Sequence, residues 1–429
     1  MIQKVRGTRD FFGPEERLFC RIESATGRVF RRYGIQQVRT PIFEEAALFS
    51  RSIGEATDIV SKEMYTFADR KGRLLSLRPE GTASVVRFLV EEKIQVTDTL
   101  KLFYLGPMFR YERPQAGRYR QFHQFGIEYF GTPTAAADAE VISVGHALLQ
   151  ELGLSGHATL LINSLGCAAC RPVFLDHLGV FLKDRAADLC EECRDRIDRN
   201  PLRCLDCKRD GCVHAYESSP KISESLCELC RRHDAEVKEL LADAGLAFTA
   251  RDRLVRGLDY YVRTVFEFVT AALGAQDAVI AGGRYDGLVA ALGGPDLPAV
   301  GFAGGIERLI ELMSKLPASS TPGAAGACSA SVFFVCAEDR AARRRAFNLA
   351  ERLRASQIST LLPLSDGKSF KSQFRAADKS GARVVVILGE EEAKTNSVSI
   401  KDLSRGEQQT VPESDLIPTL DRMGIPRDA

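Results

Sequence analysis

The sequence predicts an α+β protein: a mostly antiparallel sheet flanked by helices, interrupted by a cysteine-rich insertion and followed by a C-terminal α/β domain. Three observations predict it. Strand-like and helix-like stretches alternate irregularly to about Leu161, and the strand pattern resumes at Leu254. Nine of the twelve cysteines fall between Cys167 and Cys230, in a stretch more charged than its surroundings. Residues Pro317–Gly326 are small, polar and broken by Pro and Gly, which marks a linker. The expected domains are therefore residues 1–325, with the insertion at about 167–236, and residues 330–429.

A chain of 429 residues has room for roughly three domains, each able to bury its own core. Hydrophobic residues make up 45% and charged residues 27%, the balance of an ordinary globular protein. Lys plus Arg (58) cancels Asp plus Glu (57), so any nucleic-acid contact must come from local patches. The start of the chain has no apolar export-signal core, and no apolar run is long enough to span a bilayer, so a cytoplasmic protein is expected. In a large chain of that kind, cysteines are not read as disulfides. Cys20, Cys328 and Cys336, outside the cluster, fit small buried hydrophobes.

From Glu16 to Tyr33, Leu18, Phe19, Ile22, Ala25, Val29 and Phe30 recur at three- and four-residue steps, with Gly34 placed to end the helix. A strand follows at Ile35–Val38. The segment Leu102–Pro114, closed by Arg120–Gly131, reads as two short strands joined by a polar loop that carries Arg113, Gln115, Arg118 and Arg120, a cluster suited to a polyanion. In the second strand, alternation puts Phe122, Gln124, Gly126, Glu128 and Phe130 on one face. An amide and a carboxylate on a buried face need partners, because desolvating them unpaired is costly. A small polar ligand supplies those partners, with Phe122, Gly126 and Phe130 as walls and floor.

Tyr260–Val269 is rich in β-branched and aromatic residues and reads as a strand. Gly304-Gly305 then opens a helix whose Ile306, Leu309, Ile310 and Met313 face the core. Arg308 sits in its early turn, where a cation is misplaced unless an anion lies nearby. After the linker the order is strand (Ser331–Cys336), helix (Glu338–Ala355), short strand, helix (Ser369–Ser380), strand (Arg383–Leu388) and a hairpin around Arg405-Gly406. Arg340, Arg343, Arg344, Arg345, Arg352 and Arg354 load the first helix with charge, either as a phosphate-tracking face or as a solvated one. Asp366-Gly367-Lys368-Ser369 ends like a phosphate-binding loop but lacks its leading Gly, since position 362 is Leu.

In the insertion, Cys167/Cys170 and Cys190/Cys193 are Cys-x₂-Cys knuckles separated by 19 residues, and the same gap separates Cys204/Cys207 from Cys227/Cys230. Tetrahedral thiolate sites are built from such pairs. Two readings stand: two structural Zn²⁺ ions on these eight cysteines, with Cys212 or His214 as a substitute ligand, or reduced unligated thiols.

The strand Phe109-Arg110-Tyr111-Glu112, the arginine loop and the return strand resemble motif 2 of the class II aminoacyl-tRNA synthetases, in the wording of the histidyl-tRNA synthetase family. Gly7-Thr8-Arg9-Asp10, Thr40-Pro41, Arg78-Pro79-Glu80-Gly81-Thr82, Arg256-Gly257-Leu258-Asp259-Tyr260-Tyr261 and Gly301–Arg308 follow in that family's order. The resemblance implies the class II synthetase fold, activation of L-histidine by ATP with Mg²⁺, transfer to the 3′ end of the cognate tRNA, and a homodimer, with neither DNA nor membrane as partner. It assigns Arg110 and Arg308 to the ATP phosphates, Glu112 and Phe122 to the adenine, and Arg256 to the α-phosphate in the transition state. It assigns Glu80, Gly81, Thr82 and Gln124 to the amino acid's ammonium end, Glu128, Tyr260 and Tyr261 to its imidazole, and Arg113 and Gln115 to the tRNA acceptor. The helix and strand up to Pro41 would form the dimer interface, and the last domain would bind the anticodon. The family's core chemistry does not require a metal in the insertion, so the resemblance favours neither reading. The competing reading is a non-catalytic histidine-binding regulatory subunit of ATP phosphoribosyltransferase.

Overall fold

A computed structural model describes residues 1–54, 57–114, 117–258, 260–274, 277–316, 331–364 and 368–427. The predicted linker 317–326, Cys328, Gln115, Asp259 and the Asp366-Gly367 pair lie outside the described residues. The chain divides into two compact units, residues 1–322 and 323–429. No helix among the described residues is long and apolar enough to cross a membrane.

The first unit contains strands β1 (Gln36–Gln37), β2 (Phe43–Glu45), β3 (Thr66–Ala68), β4 (Leu74–Leu77), β5 (Leu100–Phe109), β6 (Gln121–Phe130), β7 (Thr159–Ser164), β8 (Phe248–Ala250), β9 (Val262–Val269), β10 (Ala278–Arg284) and β11 (Ala299–Gly305). Eight of them form one sheet in the order β1-β5-β6-β11-β10-β9-β7-β8, and β2, β4 and β3 form a small second sheet. The large sheet is antiparallel except at its edges, where β1 joins β5 and β8 joins β7 in parallel. The expected α+β fold is therefore present.

The first helix runs Pro14–Arg32, with Pro in its first turn, Glu15 and Glu16 at its positive end and Arg31 and Arg32 at its negative end. Gly34, at φ 71°, turns the chain out of it. Its Ile22, Ala25, Val29 and Phe30 are buried against Phe125, Ile127 and Tyr129, the alternate face of β6. One face of β6 is thereby spent on the core, which leaves Phe122, Gln124, Gly126 and Glu128 on the other.

The insertion leaves β7 and returns to β8 through helices Cys170–Asp184, Glu191–Arg196, Asp210–Ala215 and Glu228–Asp243. The last of these continues beyond residue 236 because Val237 and Leu241 belong to the main core. A buried ion cluster pins it there. Asp138, with no exposed surface, meets His233 Nε2 at 2.7 Å, the Thr264 hydroxyl at 2.5 Å and the fully buried Arg284. The guanidinium and imidazole hold the Asp138 carboxyl below its ordinary pKa despite burial, which by itself pushes it up.

In the second unit, β12 (Val332–Cys336), β13 (Thr360–Leu361), β14 (Val384–Leu388), β15 (Ser397–Asp402) and β16 (Gln408–Pro412) form a sheet in the order β13-β12-β14-β15-β16. Helices Arg340–Ala355 and Phe370–Ser380 are capped by Asp339, which accepts from the N–H groups of Ala341 and Ala342, and by Ser369. Arg345 and Arg354 of the charged helix have structural partners. Arg345 pairs with Glu413 and donates to the carbonyls of Glu392 and Ser397, and Arg354 donates to the Thr360 carbonyl.

Candidate active site

β6 lies between β5 and β11, and its free face floors a cavity of about 320 Å³. The floor is low because bulk is missing where it matters. Gly126 stands between Tyr104 and Ala303, and Gly301 stands beside Glu128. A Cβ on Gly126 would strike the Tyr104 ring, and one on Gly301 would strike the Glu128 carboxylate and the Ile127 carbonyl. Backbone cannot yield as a flexible side chain can. Gly301→Ala is accordingly expected to cost about 1–3 kcal/mol of stability, read as a lowered melting temperature, and to push Glu128 out of place.

Glu128 is 1% exposed. One oxygen accepts from the Thr82 hydroxyl at 2.6 Å and the other from the Tyr285 hydroxyl. Burial, seconded by the charge of Glu80, pushes its carboxyl up to about 8 even though both hydroxyls favour the ionised form. Glu80, also buried, accepts from the backbone N–H groups of Thr82 and Ala83 at 2.7 and 2.8 Å, closing the N-terminus of the helix Thr82–Glu91. Gly81 has to be glycine, because a Cβ there would overlap the Tyr104 ring. The Gln124 carbonyl oxygen is buried at the cavity without a hydrogen-bond partner, the kind of vacant acceptor that a ligand N–H satisfies.

Arg110, Arg256 and Arg308 line this same cavity. Arg110 donates to the Pro79 carbonyl at 2.9 Å and lies 5.4 Å over the Phe122 ring. Arg308, in the first turn of the helix Ile306–Lys315, donates to the Ala278 carbonyl at 2.7 Å. Burial lowers its pKa first, and the positive charges of Arg118 and Arg110 lower it further. Arg110, Arg118 and Arg308 thus bring like charge to one hollow, an arrangement suited to an anion between them. Arg256 ion-pairs with Glu267 on β9 and lies 5.7 Å over the Tyr261 ring, while its buried Nε has no hydrogen-bond partner.

Tyr260 packs on Tyr261 and Tyr285, with ring centroids 4.7 and 5.5 Å apart. Glu112 lies on the wall, 3.0 Å from Arg118. Arg113 is exposed on the loop and is not among the cavity residues. The sequence reading missed Arg118 as a cavity residue, and also Glu267 and Tyr285. Two signals were available: Glu267 is a lone carboxylate in the apolar run Val265–Val269, and Tyr285 sits in Gly283-Arg284-Tyr285-Asp286-Gly287, a strand end rich in charge and Gly.

The cysteines pair differently from the equal-gap expectation. Cys167 and Cys170 meet Cys227 and Cys230, whereas Cys190 and Cys193 meet Cys207 and Cys212, and within each set the sulfurs lie within 4.8 Å of one another. Equal spacing along the chain is no guide here, because the insertion folds back and brings its two ends together. Cys204 is excluded. Fully buried, it donates its thiol to the Cys193 carbonyl at 3.3 Å, and Cys212, named only as a substitute, takes the fourth place.

The sequence model of the family described as histidyl-tRNA synthetase matches residues 7–186 and 210–309, and that of an anticodon binding domain matches residues 331–423. The chain belongs to the histidyl-tRNA synthetase family. A family member from Solidesulfovibrio magneticus, described as a histidine–tRNA ligase, is 49% identical over 97% of this chain and 96% of its own. The apo histidyl-tRNA synthetase of S. aureus superposes with a TM-score of 0.78 at 32% identity, covering 98% of this chain and 99% of that one. A Bacillus halodurans protein described as an ATP phosphoribosyltransferase regulatory subunit/histidyl-tRNA synthetase has a TM-score of 0.64 at 21% identity, over 91% of this chain and 98% of that one, and so shares the fold. Part of the insertion, residues 187–209, falls outside the matched family model.

Proposed function

We infer that this chain is an aminoacyl-tRNA ligase that activates histidine with ATP, releasing pyrophosphate, and then transfers histidine to its tRNA. The carrying observation is the cavity itself: Arg110, Arg118, Arg256 and Arg308 at one hollow whose floor ends in a buried Glu128. Activation joins a carboxylate to the α-phosphorus of ATP, and both reactants are anions. Fixed guanidinium groups offset that repulsion and stabilise the charge that builds as the carboxylate oxygen bonds to phosphorus and pyrophosphate departs.

In this reading Arg110 and Arg308 hold the phosphates, Phe122 and Glu112 hold the adenine, and Arg256 meets the α-phosphate. ATP enters with Mg²⁺. Glu112 and Glu267, whose charges both act on Arg308, are the carboxylates able to meet that ion at the arginine end. Gln124, Glu80 and Thr82 receive the ammonium group, for which the vacant Gln124 oxygen is the clearest support. Glu128 and Tyr261 read the imidazole, with Tyr285 holding Glu128 and Tyr260 packing behind both. Arg113 and Gln115 are assigned to the tRNA acceptor, and the second unit to its anticodon. A homodimer is supported by Ile42, Phe43, Phe67 and Leu74, large apolar residues left exposed on and beside the small sheet. Structural zinc in the insertion completes the cofactor set.

The regulatory-subunit reading shares the fold but has no use for four convergent arginines or for the anticodon-binding module at residues 331–423. ATP–pyrophosphate exchange with each common amino acid separates the two. Exchange dependent on histidine alone is expected; exchange with none, or with another amino acid, overturns the assignment.

A further inference from the structure

We propose that the insertion holds two zinc ions, one on Cys167, Cys170, Cys227 and Cys230 and one on Cys190, Cys193, Cys207 and Cys212, and that these centres clamp the wall of the active-site cavity. The sulfur geometry fits a single ion in each set. Cys167 Sγ stands 3.6 Å from Cys170 Sγ and 4.0 Å from Cys227 Sγ. A tetrahedral Zn²⁺ with bonds of about 2.3 Å places its sulfurs about 3.8 Å apart. Disulfides require about 2.05 Å, and a cluster of several irons needs a wider frame of thiolates.

Backbone groups complete both centres. Cys227 N–H donates to Cys170 Sγ at 3.1 Å, and Cys190 N–H donates to Cys212 Sγ at 3.2 Å, bonds that orient a ligating sulfur. The segment also needs such a staple. Helices Glu191–Arg196 and Asp210–Ala215 have six residues each, too few to persist on their own hydrogen bonds. With all four positions filled by thiolates, neither ion has an open site for chemistry, so their role is to hold the chain.

What they hold is next to the reaction. Arg171 follows Cys170 in the chain and donates to the Tyr261 carbonyl. Cys207 lies between Asp206 and Lys208, both of which line the cavity, and Lys208 reaches Asp277 at 3.6 Å. Arg203 lies against Gly257, whose added Cβ would come within 3.2 Å of its guanidinium. The first centre is thus joined to Tyr261 through Arg171, next to Cys170, and the second to the cavity wall at Asp277 through Lys208, next to Cys207. Losing either ion frees its part of the wall without removing any of the residues assigned to substrate.

The metal arm of the test does not depend on the functional reading; the kinetic arm rests on it. Full-length protein purified under reducing conditions is expected to carry about two zinc ions by mass spectrometry, and its cobalt-substituted form to absorb as tetrahedral thiolate sites. Cys167→Ser and Cys190→Ser should each hold about one ion, while Cys204→Ser keeps both. In Cys190→Ser, kcat for histidine-dependent pyrophosphate exchange should fall about tenfold or more with little change in circular dichroism. Should the serine variants not fold, a zinc-selective chelator with excess Mg²⁺ should abolish exchange in the wild type, and added zinc should restore it. Zinc below half an equivalent, or metal loss in Cys204→Ser but not in Cys212→Ser, overturns the assignment of the sites. Full activity in zinc-depleted protein overturns the clamp. Absence of exchange in zinc-loaded wild type would instead count against the functional reading.

Discussion

Arg256→Ala is expected to lower kcat for histidine-dependent ATP–pyrophosphate exchange by about a thousandfold, about 4 kcal/mol, while KM for ATP changes less than about threefold. The side chain is only 18% exposed, is anchored to Glu267 and has a buried Nε without a partner. It is fixed in advance of any substrate, so little reorganisation is needed when charge moves onto the phosphorus. The ground-state phosphates have Arg110, Arg118 and Arg308 at the same cavity, so binding should survive the loss of one guanidinium. Removing Arg256 also leaves Glu267 uncompensated. Glu267→Gln is therefore the comparison, run at saturating Mg²⁺ because Glu267 is also a carboxylate able to meet that ion: it keeps the cation, and it should lose far less activity than Arg256→Ala. A variant with raised KM and unchanged kcat would reduce Arg256 to a binding residue.

Glu128→Gln should lose about a hundredfold or more in kcat/KM for histidine, about 3 kcal/mol, the scale of a charge-assisted hydrogen bond lost in a buried site. The same substitution should stabilise the empty protein. A carboxyl held at about 8 in the fold against an ordinary 4.5 costs roughly 5 kcal/mol once fully ionised. The sign follows from proton counts. Between those values the folded chain binds more protons than the unfolded chain, so wild-type stability falls as pH rises. The penalty is absent below about pH 4.5 and complete above about pH 8. Melting temperatures measured across that window should show Glu128→Gln gaining on the wild type as pH increases. A constant difference would mean that Glu128 does not titrate there.

Period-2 alternation in β6 was readable in the chain because Phe125, Ile127 and Tyr129 on one side are all buried in the core that includes the first helix, which leaves Gln124 and Glu128 on the other face. The helix after Gly305 was equally legible, since Ile306, Leu309, Ile310 and Met313 at helical spacing are all buried. Long-range pairing was not. Nothing local to Arg256 names Glu267 as its partner, and nothing near Glu128 names Tyr285, because antiparallel registry across β9, β10 and β11 brings them together. The cysteine sets failed for a related reason: their pairing depends on how the insertion closes, and spacing alone allowed another solution.

The floor of the hollow is main chain at Gly126 and Gly301, so it cannot be dug deeper by shrinking a residue. A lineage drifting toward a bulkier amino acid would have to cut into Thr82, Tyr285 or Glu128, and both hydroxyls are bonded to that carboxylate. Replacing Glu128 strands both hydroxyls, and replacing either hydroxyl strands one oxygen of Glu128. Re-coding the enzyme is therefore several simultaneous replacements away, which insulates the meaning of a codon from single mutations.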